Sequence, residues 1–187
     1  DVINEWNGYW KYDRSDKITG LDELVDGMSL QDLHAPLYIA VGEQLSRSVG
    51  PGERVSVPLF ASFMTDSRAY GDELFLQVEL YGWNSLGQEK AWHATSRTIP
   101  YRPWMAEALE PIEVTMPDEP AVAILAVRLE DVAGEVLQRN FTTFVVEGDA
   151  PGQVRTPGGA TARVVRFDPA DFTAAEWSLK QWDVLGG

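Results

Sequence analysis

Two stretches of this chain alternate apolar and polar residues with a period of two. In residues 54–63, Val55, Val57, Leu59, Ala61 and Phe63 fall on one side. In residues 73–83, Leu74, Leu76, Val78 and Leu80 do the same, against Phe75, Gln77, Glu79 and Tyr81. Successive strand side chains point to opposite faces, so this period marks half-buried strands, whereas a helix would scatter the same residues around its surface. Pro58 has no N–H to give to a ladder, which predicts a sheet edge or a bulge at that point.

Further β segments follow the same rhythm. Residues 37–41 are a compact apolar run after Ala35-Pro36, and Gly50-Pro51-Gly52-Glu53 is a turn. Asn84-Ser85-Leu86-Gly87 predicts a hairpin turn into residues 88–99, and 112–116 read as another short strand. Residues 121–129 and 135–146 form a hairpin across Asp131-Val132-Ala133-Gly134. The run 121–129 is apolar enough for a helix, but Pro120 and the paired partner favour β. Seven or so short strands over about 110 residues predict a mainly β fold, an immunoglobulin-like antiparallel β-sandwich over residues 35–148.

The flanks differ. Leu21, Leu24, Val25 and Met28 lie at i, i+3, i+4 and i+7, which predicts a short N-terminal helical segment with Thr19 as N-cap. An alternative breaks it at Gly27 and restarts it at Ser29. Residues 147–161 hold four Gly and two Pro, a linker composition. A fresh β-like segment begins at 162–167, so 149–187 read as a linker and the start of a further β-rich module.

Composition sets limits on function. Hydrophobic residues make up 44%, enough for a core. A net charge of -14 argues against nucleic acid, whose binding needs a basic surface, and against an anionic membrane. With no cysteine, disulfides and thiolate chemistry are excluded. No phosphate loop, dinucleotide fingerprint or nucleophile elbow is present, and no cofactor is expected. His34 and His93 are isolated, and the acidic pairs at 22–23, 118–119 and 130–131 lack calcium-loop spacing, so turns or solvated faces are expected there. The sequence does not fix a compartment, although a secreted or periplasmic one is favoured over the cytoplasm.

The densest chemistry lies in the first fourteen residues, which hold Trp6, Trp10, Tyr9 and Tyr12 among Asn, Glu, Asp and Arg. This stretch reads as cut from inside a larger protein. Asn4-Glu5 has the form of a glycosidase acid/base dipeptide. A retaining mechanism needs a second carboxylate about 5 Å away, and no later barrel strand supplies one. The rings suit stacking on sugar faces, against the plainer expectation of an interdomain seam. Trp83, Trp92, Trp104, Trp177 and Trp182 are expected in the core or at interfaces.

Asp1-Val2, Glu5, Asn7-Gly8 and Asp13-Arg14 together resemble the segment after the last barrel strand in family 2 glycoside hydrolases. In that family a sandwich follows, entered here by Ala35-Pro36 and opened by Gly52-Glu53-Arg54. It closes through Gly134-Glu135, Asn140-Phe141 and Phe144-Val145-Val146. The resemblance covers about residues 1–148. It implies a non-catalytic portion of a retaining glycosidase, whose two catalytic Glu would lie upstream of Asp1. On this resemblance residues 1–34 are a barrel remnant and 35–148 the supporting sandwich. Glu5 and Asn7 would hydrogen-bond sugar hydroxyls while Trp6 or Trp10 stacks. The implied partners are carbohydrate, through the parent enzyme, and the upstream barrel of the same polypeptide. Two alternatives remain: a stand-alone carbohydrate-binding module, and an immunoglobulin-like protein-interaction domain.

Overall fold

The computed structural model describes residues 25–148, 153–155 and 158–163. Helix α1 (Leu30–Leu33) precedes eight strands: β1 (Leu37–Val41), β2 (Ser46–Val49), β3 (Arg54–Phe63), β4 (Glu73–Asn84), β5 (Glu89–Pro100), β6 (Ala106–Thr115), β7 (Ala121–Glu130) and β8 (Val136–Val146). They form a three-stranded sheet, β1-β3-β6, and a five-stranded sheet, β2-β8-β7-β4-β5. All pairings within these two sheets are antiparallel except β2 with β8. This is the strand order of an immunoglobulin-like sandwich: the first strand opens one sheet, and its continuation, β2, crosses to the other beside the last strand. The chain divides after Gly148 into a second unit, in which β9 (Gln153–Arg155) pairs antiparallel with β10 (Thr161–Arg163).

The inward residues of β3 and β4 are those the alternation predicts, and Val55, Val57, Leu59, Ala61 and Phe63 are all at most 3% exposed. Leu74, Leu76, Val78 and Leu80 meet them from the other sheet at 0–1%. Pro58 lies at a bulge, where the β3–β6 register shifts between Val57 and Leu59. It is not on an edge, because β3 is the central strand of its sheet. Its carbonyl accepts the Gly42 N–H at 2.9 Å.

Residues 121–129 form a strand that is covered on both faces at its middle, while Val122 and Arg128 on the outer face stay exposed. Its inner residues join the core, while Ile124 and Ala126 on the outer face are buried with Val25 and Met28. A strand covered on both sides has no use for alternation, which is why this run also resembled a helix. The helical segment starts afresh at Ser29. There a capping box joins the Ser29 side chain and Asp32, after a turn at Gly27 with φ 70°. The part expected over 19–24 lies outside the described residues.

Strand β1 is an edge, and β8 closes it with side chains. Gln138, 0% exposed, accepts the Ile39 N–H on Oε1 at 3.3 Å and donates Nε2 to the Arg139 carbonyl at 2.8 Å. Asn140 Nδ2 donates to the Ile39 carbonyl at 2.8 Å and to the Tyr38 hydroxyl at 3.0 Å. Thr142 and Thr143 hydroxyls donate to the Gln44 and Leu45 carbonyls, each at 2.8 Å. Polar side chains therefore satisfy backbone groups that a ladder would otherwise pair where the chain changes sheets.

Candidate functional site

The outer face of the five-stranded sheet carries a groove. Register places Glu79, Ala126 and Phe141 in one cross-strand row and Tyr81, Ile124 and Thr143 in the next. Residues 25–28 rise beside these rows and leave a groove of about 510 Å³. At one end Asp26, Glu79 and Glu89 surround Tyr81. Burial, then the charges of Glu79, Asp26 and Glu89, push the Tyr81 phenol up to about 12. The hydroxyl therefore keeps its proton across the physiological range.

At the other end Arg128 and Arg139 stand directly opposite one another on β7 and β8. Like charges so placed repel, and each is held by a carboxylate. Arg128 Nε lies 2.5 Å from Glu130 Oε1, and Arg139 Nη1 lies 3.5 Å from Asp32 Oδ1. Asp32 Oδ1 also accepts the Arg139 N–H at 2.8 Å, so one carboxylate ties α1 to β8. Among the described residues no Ser, Thr, Cys or Lys lines the groove, which offers donors and acceptors of both charges.

The loops at the Glu73 end of the sandwich make a second feature. Tyr101, 3% exposed, packs edge-on to Tyr70 with ring centroids 5.4 Å apart, and its hydroxyl donates to the Ser67 carbonyl. Its N–H donates to the Asp72 carbonyl at 2.8 Å, so the 64–72 and 101–105 loops are fastened together. On this base Trp104 stands 64% exposed with φ 57°, the one non-glycine residue of positive φ among those described.

The expected substrate contacts Glu5, Trp6, Asn7 and Trp10 lie outside the described residues, as do Trp177 and Trp182. Trp83 and Trp92 are half-buried against the two apolar clusters, in keeping with core or interface positions. Trp104 is solvent-facing. His34 caps α1 and His93 lines the groove, and among the described residues no group of three or more His, Cys, Asp or Glu could hold a metal. Glu130 bonds Gln77 and Arg128, while Asp131 Oδ1 accepts the Ala133 and Glu135 N–H groups in the hairpin turn. Sequence reasoning missed the groove, because Glu79 and Glu89 come together only through strand pairing and Asp26 only through the seating of residues 25–28 on the sheet. Trp104 carried one local signal, the Pro103 before it, with no glycine to complete the turn pattern.

No family model and no curated protein matches the chain. Among solved structures, a cycloisomaltooligosaccharide glucanotransferase of a Paenibacillus overlaps at 14% identity over 55% of this chain and 13% of its own, with a TM-score of 0.38. A sporulation control protein of Bacillus subtilis overlaps at 14% over 60% and 49%, TM-score 0.39. A β-glucuronidase of Bacteroides uniformis overlaps at 12% over 59% and 13%, TM-score 0.37. The chain thus spans 13% to 49% of the lengths of these three structures. The structural neighbours include glycoside hydrolases, at low identity and partial coverage. At these scores the overlaps are likeness alone, and the fold rests on the strand order and register: the chain contains an immunoglobulin-like β-sandwich.

Proposed function

We propose that this chain is a non-catalytic accessory region of a family 2-like retaining glycoside hydrolase, which supports a catalytic barrel encoded upstream in the same polypeptide. Residues 1–34 are the segment after the last barrel strand, 35–148 the supporting sandwich, and 149–187 the linker and start of a further module. The order of short motifs from Asp1 to Val146 supports this reading. The observation that carries it is the seating of the incoming chain. Val25 and Met28, 6% and 1% exposed, are buried against Ile124 and Ala126, and Asp32 is bound to Arg139. A chain fixed to the sheet in this way transmits position from what precedes it, as a buttress must. A free tether would not. In the parent, Glu5, Trp6, Asn7 and Trp10 line the substrate cleft, and carbohydrate is met through the parent enzyme.

The decisive experiment is to read the coding sequence upstream of Asp1 and to assay the isolated chain on aryl glycosides. The reading expects a barrel with two strand-end Glu motifs upstream, and no turnover by the isolated chain. Turnover by this chain that disappears in Glu5→Gln overturns it, as does an upstream frame without a barrel.

A further inference from the structure

Among the described residues, Trp104 is the one place where backbone strain and an exposed aromatic coincide. The Met105 N–H donates to the Arg102 carbonyl at 3.2 Å, closing a four-residue turn. Pro103 occupies its second position, where the ring fixes φ near about -65°. Trp104 then takes the third position at φ 57°. Negative then positive φ defines a type II turn, whose third position belongs to Gly or Asn. A tryptophan there is strained, and since its ring is 64% exposed, burial within the described residues does not compensate. The surrounding bonds hold the strain in place. The Trp104 N–H donates to the Thr65 carbonyl at 3.2 Å, and the Phe63 N–H to the Met105 carbonyl at 2.8 Å.

We infer that Trp104 is a carbohydrate-stacking residue, and that the turn at residues 102–105 presents its indole to the face of a sugar ring in a neutral polysaccharide. Two observations select this occupant over a protein. On the 64–72 and 101–105 loops the exposed large apolar side chains are Trp104 and Met64, which adjoins the bonded Thr65 and is 69% exposed, while Val132 at this end belongs to the separate β7–β8 turn. Together Trp104 and Met64 offer on the order of 300 Å², against about 800 Å² per partner in a stable protein interface. That area suits one or two sugar rings. The flanking charges are mixed in sign: exposed Asp66 and Arg68, and Arg102 paired with Glu107 at 2.6 Å. Such a rim offers donors and acceptors to hydroxyls without the one-sided field that steers a charged partner. The choice of polysaccharide also leans on the glycosidase reading, whereas the strained display of Trp104 stands without it.

The test is affinity electrophoresis of the full 187-residue chain in gels containing hydroxyethylcellulose, xylan, galactomannan or dextran. At least one gel should retard the wild type, Trp104→Gly should lose at least tenfold in affinity, and Trp104→Tyr should retain part of it. Gly accepts the left-handed backbone, so the melting temperature should not fall. Trp104→Asn serves as a second variant if Trp104→Gly folds poorly. Absence of retardation in all four gels, or retardation unchanged in Trp104→Gly, overturns the inference. So does a dimer seen in sedimentation that Trp104→Gly abolishes, since that makes the turn a protein contact. An upstream barrel found together with a non-binding chain would sink this inference alone and leave the accessory reading intact.

Discussion

Gln138 is the most exacting test of how the two sheets are joined. Its amide is fully buried, and it accepts the Ile39 N–H while donating to the Arg139 carbonyl. In Gln138→Leu the volume is nearly kept, so no large cavity opens. The Ile39 N–H, itself at 0% exposure, is then left without an acceptor on the side away from β3. An orphaned buried donor costs about 1–3 kcal/mol. The carbonyl of Arg139 loses one bond but keeps a second lone pair, a smaller loss. Removing a buried amide in favour of a hydrocarbon returns about 1 kcal/mol. The net expectation is a loss of about 2 kcal/mol, or roughly 4–8 °C in Tm for a chain of this size. Urea unfolding should show a lower midpoint at unchanged slope. Hydrogen exchange should be faster at the Ile39 amide, and at Leu76 in the sandwich interior it should rise by no more than the factor set by the lost global stability. Gln138→Glu is the companion variant. It retains an acceptor but buries a charge, so it should be worse at neutral pH and recover as acid protonates it. A stability change under about 0.5 kcal/mol with Ile39 protection intact would refute the account of how β8 closes the β1 edge.

Three further outcomes follow from particular contacts. Gly82, at φ 148°, lies so close to β7 that an added Cβ would sit 2.1 Å from the Val122 carbonyl oxygen; Gly82→Ala should cost at least about 2 kcal/mol, and an unchanged urea midpoint would contradict the close approach. Met28→Ala removes the more deeply buried of the two incoming-chain residues in the outer cluster and should cost about 2–5 kcal/mol; limited proteolysis should then cut near residues 25–34 sooner, and equal cutting rates would count against the seating of the incoming chain. Tyr81 holds its proton to about 12 in the folded state against 10.0 unfolded. Its contribution to stability is therefore complete below pH 10 and is lost as pH rises from 10 to about 12. Tyr81→Phe should flatten the pH dependence of stability in that window, and a spectrophotometric titration showing every tyrosine ionising near 10 would refute the shift.

The amino-acid sequence by itself determined the strands whose two faces differ. In β3 and β4 one side meets the opposite sheet and the other meets water, so the alternation from Val55 to Phe63 and from Leu74 to Leu80 records burial directly. It also determined the hairpin turn at Asn84, whose buried side chain accepts the N–H groups of Leu86 and Gln88. Local chemistry was enough there, because the turn is closed by residues within four positions of one another. Strand β2 was not legible. Ser46–Val49 is exposed except at Val49, and it is a strand because it lies parallel to β8, 97 residues further on in register. The first half of β6 was hidden by Pro111 and by its exposed, uneven pattern. The tertiary structure alone decided that the middle of Ala121–Glu130, at Ile124 and Ala126, is covered on both faces, since Val25 and Met28 reach it from nearly 100 residues away in sequence. It alone also assembled the groove, where Asp26, Glu79 and Glu89 raise the Tyr81 phenol together. Periodicity reports which way a side chain points relative to its own strand. It carries no information about which distant strand will lie beside it, and the groove and the crossing from β1 to β2 are both made of such neighbours.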